Sequence, residues 1–156
     1  MCLNVKHWFH MTPSHTFRIK PDKTSGLYFT VKIFPTLQGM RAYARKNREA
    51  KLGQFYGLST SWRKWKLTHR KTGDTKERWL GSRELGEILL AEKYLSARIV
   101  SHECTHAALG WARRKKLDLA DEGDSGKVSN IEEALCHAQG NFVKQVYDYA
   151  YKHKII

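Results

Sequence analysis

Two histidines four positions apart, with a glutamate beside the first, form the run His102-Glu103-Cys104-Thr105-His106. On a helix, residues at i and i+4 lie one above the other, about 5–6 Å apart at Cβ. Both imidazoles can then reach one tetrahedral zinc ion, whose Zn–N bonds run about 2.0–2.1 Å. A glutamate at the second position stands close enough to deprotonate a metal-activated water. The spacing therefore predicts hydrolytic chemistry, with His102 and His106 as ligands of one Zn2+ and Glu103 as general base.

That chemistry requires the motif to be helical. Residues 94–111 read as one helix, with Ser96 as N-cap and Gly110 near its last turns. Val100, Cys104, Ala107 and Trp111 recur at helical spacing on one face, while His102 and His106 share a different stripe with Ile99. Cys104, two positions from each histidine, is expected to turn away from the metal and pack.

Zinc needs a third protein ligand, and catalysis needs a fourth position left for water. A following helix from Ser129 or Asn130 supplies candidates in Glu132, Glu133, Cys136 and His137. Adjacent glutamates point about 100° apart, so only one aims squarely at the metal. Glu133 is favoured because Cys136 and Gly140 follow it at three and seven positions, a stripe of small residues suited to close approach to the first helix. Glu132 is the second choice, on the flank of the apolar arc of Ile131, Leu135, Ala138, Phe142 and Tyr149. Cys136 and His137 are alternatives, since thiolate and imidazole both suit zinc.

The pairing of His102-Glu103-Cys104-Thr105-His106-Ala107 with Glu132-Glu133-Ala134 resembles compact zincin-like metallopeptidases of the gluzincin type, including the ImmA/IrrE-like group of bacteria and phages. The resemblance covers roughly residues 85–148 and implies two histidine ligands, Glu103 as base and polariser, and a helix-borne glutamate that directly precedes alanine, here Glu133. It also implies that the strand Leu85-Gly86-Glu87-Ile88-Leu89-Leu90 edges the cleft; peptide addition to an exposed strand would then pair the substrate backbone with it near Glu87 to Leu90. Metzincins place a glycine and a third histidine where this chain has Leu109 and Ala112. SprT-like DNA-associated proteases share the motif followed by alanine, but no Gly-His dipeptide follows His106. Tyr147, His137 and Tyr94 are candidate oxyanion donors.

At 156 residues the chain is long enough for one domain, 1–156, with a core that needs no staples. Three cysteines make no disulfide framework and read as reduced thiols of a cytoplasmic protein. The first ten residues lack the apolar run of a signal peptide, and no segment is apolar enough to span a bilayer, so a membrane partner is not expected. Net charge is +13, with basic clusters at 41–51, 63–71 and 113–116. Such a balance attracts acidic protein surfaces and nucleic acid. The expected partners are therefore a protein or peptide substrate and, through the basic surface, nucleic acid. A zincin fold retained as a regulatory or nucleic-acid-binding module is the alternative to a peptidase, and a solvated basic face with no partner is the plainest reading of the charge.

Strand patterns fall at 16–20, 27–34, 54–70, 75–80 and 85–90; a turn at 21–26 and a helix at 36–50, with Leu37, Met40 and Ala44 inward, separate them. An acidic, glycine-containing connector at 118–129 divides the two last helices. Together these predict an α+β domain: a mixed or antiparallel sheet, three main helices, and the motif helix packed beside an edge strand.

Overall fold

The computed structural model describes residues 11–47, 55–61, 65–68, 75–78, 83–119 and 129–156. In chain order these form β1 (His15–Ile19), β2 (Tyr28–Phe34), α1 (Leu37–Asn47), β3 (Gly57–Ser61), β4 (Trp65–Thr68), β5 (Thr75–Arg78), β6 (Glu84–Ala91), a 3-10 turn (Glu92–Tyr94), α2 (Ala97–Lys115) and α3 (Asn130–Lys152). The class is α+β, with three helices and a four-stranded mixed sheet ordered β1-β2-β6-β3. β4 and β5 pair separately, Trp65 opposite Arg78 and Thr68 opposite Thr75.

Side-chain chemistry decides which strands lie inside. In β6, Ile88 and Leu90 face one layer while Leu89 and Ala91 face the other, and all four are buried. A strand apolar on both faces belongs in the middle of a sheet covered twice. β6 accordingly runs parallel to β2 on one side and antiparallel to β3 on the other. The expectation that Leu85 to Leu90 edges the cleft is thus overturned: the edge strand under the motif helix is β3.

α2 and α3 cover one sheet face, where Val100, Cys104, Ala107 and Phe142 pack with Phe29, Val31 and Ile88. α1 covers the opposite face, its Met40 and Ala44 meeting Phe34 and Leu89. Local signals set the ends of these elements. Asp22 Oδ1 accepts the backbone N–H of Thr24 and Ser25 at 2.7 and 2.6 Å, tightening the turn that Gly26 completes at φ +66°. Thr36 Oγ1 accepts from Gly39 N at the start of α1, and Ser96 Oγ accepts from Ile99 N at the start of α2. α2 runs through Gly110 to Lys115 and closes on Lys116 in the left-handed region, φ 58°. Most of the 118–129 connector and residues 48–50 of the expected first helix lie outside the described residues.

Candidate active site

The site begins where α2 lies along β3. A Cβ added at Gly57 would fall 2.8 Å from Glu103 Cγ, and one added at Gly110 would fall 1.9 Å from Ser61 Oγ. Seven helical residues advance about 10 Å and four strand residues about 13 Å, so the two elements run side by side over that span. Contact this close leaves space only for Gly57, Ser59 and Ser61 on the strand's inner face and Gly110 on the helix. The segment Gly57-Leu58-Ser59-Thr60-Ser61 is thus small on one side, while Leu58 turns to the other face and packs against the α1 cluster.

His102 and His106 project from the same stripe of α2, both exposed. Their Nε2 atoms lie 3.2 Å apart and their rings stand nearly perpendicular, 84°, with centroids 4.7 Å apart. Two nitrogens bound to one tetrahedral zinc at about 2.0–2.1 Å would be separated by roughly 3.3–3.4 Å. That separation is the one two ligands of a single ion would need, and it also lets one imidazole donate to the other.

Glu103 is buried, with 6% of its surface exposed. Burial pushes its carboxyl above the usual range, while the neighbouring His102 and the Ser59 backbone amide pull it down. A carboxylate so placed is a stronger base than one in water. Beside it the Ser59 hydroxyl is buried with no hydrogen-bond partner among the described residues. Cys104, turned away from the two histidines, is buried in the core as expected, and burial followed by the charge of Glu103 raises its thiol to about 12.

A cleft of about 770 Å3 opens beside His102 and Glu103 and follows the first turns of α2. Phe55, Tyr56 and Tyr94 form its aromatic wall, and Ser96 and Arg98 line the helix side. Tyr56 and Tyr94 sit 5.0 Å apart between centroids. Arg41 braces this wall from α1: its Nε donates to the Phe55 carbonyl at 2.9 Å, and its guanidinium lies 5.7 and 5.5 Å from the Phe55 and Tyr56 ring centroids. Of the three candidate oxyanion donors, only Tyr94 lines the cleft. His137 is exposed on α3, and Tyr147 packs against the core, its hydroxyl pKa raised by burial and by Tyr151 and Cys104.

The glutamates of α3 stand apart from the histidine pair. Among the described residues no group of three or more His, Cys, Asp or Glu side chains is close enough to hold a metal. Glu133 pairs instead with His137 at 3.0 Å in an exposed contact. Glu132 closes a capping box: its carboxylate accepts the Ser129 N–H at 3.0 Å, and its own N–H donates to Ser129 Oγ at 3.1 Å. The small-residue stripe does not serve as the helix contact expected of it. Cys136 is exposed, and nothing lies within 4 Å of the position a Gly140 Cβ would take. The polar bridge between the helices is Gln139, whose Nε2 donates to Ser101 Oγ and Thr105 Oγ1, both at 3.1 Å. Each hydroxyl belongs to the residue just before a motif histidine, so Gln139 fixes how the histidine stripe is turned. Sequence reasoning missed Gln139, Gly57, Tyr56 and Arg98. Arg98 alone carried a signal, standing four positions before His102 on the same stripe.

Comparison of the chain with protein-family models, with curated proteins and with solved structures returns no match. Among the described residues no helix is long and apolar enough to cross a membrane.

Proposed function

We propose that this chain is a zinc-dependent metallopeptidase of the compact zincin-like type, cleaving peptide bonds in protein or peptide substrates. The observation that carries the reading is the 3.2 Å convergence of the His102 and His106 Nε2 atoms beside a buried Glu103 at the end of a cleft. When bound, zinc supplies Lewis acidity that makes water a nucleophile near neutral pH and polarises a carbonyl. His102 and His106 would hold the ion from one face of α2. The third ligand would come from the first turn of α3. Recruiting Glu133 breaks only an exposed ion pair, worth about 0–1 kcal/mol. Recruiting Glu132 dismantles a capping box, a loss of about 1 kcal/mol or more. The energetic difference favours Glu133, which must leave His137 and turn toward α2.

Glu103 does the proton work. Its carboxylate accepts a proton from the attacking water and returns it to the departing amine. Tyr94, the one of the three candidate donors that lines the cleft, would supply the hydroxyl for a developing oxyanion. The substrate backbone adds to β3, which has a sheet partner on one side only among the described residues.

Metal stoichiometry and cleavage of a broad peptide mixture test this. Wild type is expected to bind one zinc per chain and cleave. Glu103→Gln should keep the metal and lose activity by about 10^2–10^4-fold. Glu133→Ala should lose zinc and Glu132→Ala retain it; the reverse result reassigns the ligand. A protein that stays metal-free after reconstitution overturns the proposal. Zinc without cleavage, together with nucleic-acid binding that collapses steeply with salt, favours the second reading, a binding module, for which the net charge of +13 is the motive.

A further inference from the structure

Arg98 is a charged residue lining the cleft that the hydrolytic mechanism leaves unused. It occupies the first turn of α2, one turn ahead of His102, and its side chain is exposed. It takes part in no ion pair among the described residues. Apart from Arg98, the ionisable groups lining the cleft are His102 and Glu103, both assigned to the chemistry, and the tyrosines of the wall.

We infer, on the metallopeptidase reading above, that Arg98 selects substrates presenting a carboxylate within two residues of the scissile bond. The distance argument is direct. Four helical residues separate Arg98 from His102, about 6 Å along the axis. An extended substrate advances about 3.3 Å per residue, so a group two residues from the reacting carbonyl arrives at Arg98. A guanidinium binds a carboxylate with two parallel hydrogen bonds, which gives it direction as well as charge. The wall of Phe55, Tyr56 and Tyr94 lines the same cleft. The cleft volume of about 770 Å3 leaves space for an apolar neighbour against the same wall. The carboxylate can come from an acidic side chain or from the free end of a peptide; the chemistry at Arg98 is shared.

Four tetrapeptides of otherwise identical sequence around a central Phe-Leu bond separate these sources. One carries Asp two residues from that bond and a blocked end. A second carries Asn there and a blocked end. A third carries Asn and, two residues from the bond, ends in a free carboxylate, and the fourth carries Lys with a blocked end. Cleavage is measured with the zinc-loaded wild type and Arg98→Glu, and binding by calorimetry with Glu103→Gln and the Arg98→Glu, Glu103→Gln double variant. An acidic residue in the first turn of a helix favours folding, so Arg98→Glu should fold. The Asp peptide, the free-carboxylate peptide, or both should bind about tenfold more tightly than the blocked Asn peptide. Arg98→Glu should abolish that difference and improve the Lys peptide. Equal binding of the four peptides, a preference unaffected by Arg98→Glu, or no binding at all overturns the inference. Arg98-dependent carboxylate binding with no cleavage by wild type keeps Arg98 as a carboxylate-binding residue but overturns its role in substrate selection, together with the peptidase reading on which that role rests.

Discussion

On the proposed reading, Glu103 sets stability against function at a single residue. Its folded pKa lies above its unfolded one because burial penalises the charged form. A carboxyl raised in this way contributes stability that is fully present below the unfolded pKa and lost as pH rises through the folded one. In metal-free protein, Glu103→Gln is therefore expected to raise the thermal midpoint at pH 7–8, the gain vanishing below about pH 4. Matched melting curves across pH check this, and a variant less stable than wild type at pH 8 would contradict it. The two described cysteines make a second contrast. Cys136 is exposed, whereas Cys104 is buried with its thiol raised to about 12. Since the thiolate is the reactive form, a maleimide should label Cys136 within minutes and Cys104 only after unfolding, as peptide mass mapping would show. The inward turn of Cys104 was legible from its position between the histidines. The burial of Glu103 was not, because it depends on Gly57, a residue distant in sequence that shows nothing of which helix it faces.

Periodicity located the elements well, and contact partners less so. The strand at Tyr28–Phe34, the caps at Thr36 and Ser96, and the inward positions of Met40 and Ala44 all follow from local chemistry. β6 reads as a strand but was expected at the cleft's edge, although Ile88-Leu89-Leu90 buries residues on both faces and that pattern is the mark of an interior strand. Small residues were read correctly as signs of close approach, but at the wrong helix face. The close approach occurs at Gly110 and Ser61, between α2 and β3, and not at Gly140. Gly110→Ala should therefore cost about 1–3 kcal/mol through overpacking. Adding Ser61→Gly should restore much of that loss, because it removes the atoms the new methyl meets. Denaturant titration of the two single variants and the double variant measures the coupling. A fully additive result would mean that α2 is held off β3 by something else.

At the scale of the whole molecule, the core and the candidate metal site are separable. Buried side chains fill both sheet faces, and neither His102 nor His106 belongs to either cluster. On the proposed reading, chelation is thus expected to leave the far-ultraviolet circular dichroism spectrum unchanged at 25 °C and to lower the unfolding free energy only by the linkage term, about 3–4 kcal/mol when the ion had been present at 100–1,000 times its dissociation constant. Loss of the spectrum on chelation would instead make the ion part of the fold. The sheet's assembly has its own consequence. Its central seam zips β2 to β6, pairing Tyr28 with Glu84 and Phe34 with Ala91, while α1, β3, β4 and β5 intervene in the chain. Such a junction closes a long loop before any of its contacts form. A nascent chain must therefore wait for β6 to emerge from the ribosome before its first two strands gain their inner neighbour, and in that interval the Phe29 and Ile33 side is an adhesive surface for any other unfinished copy.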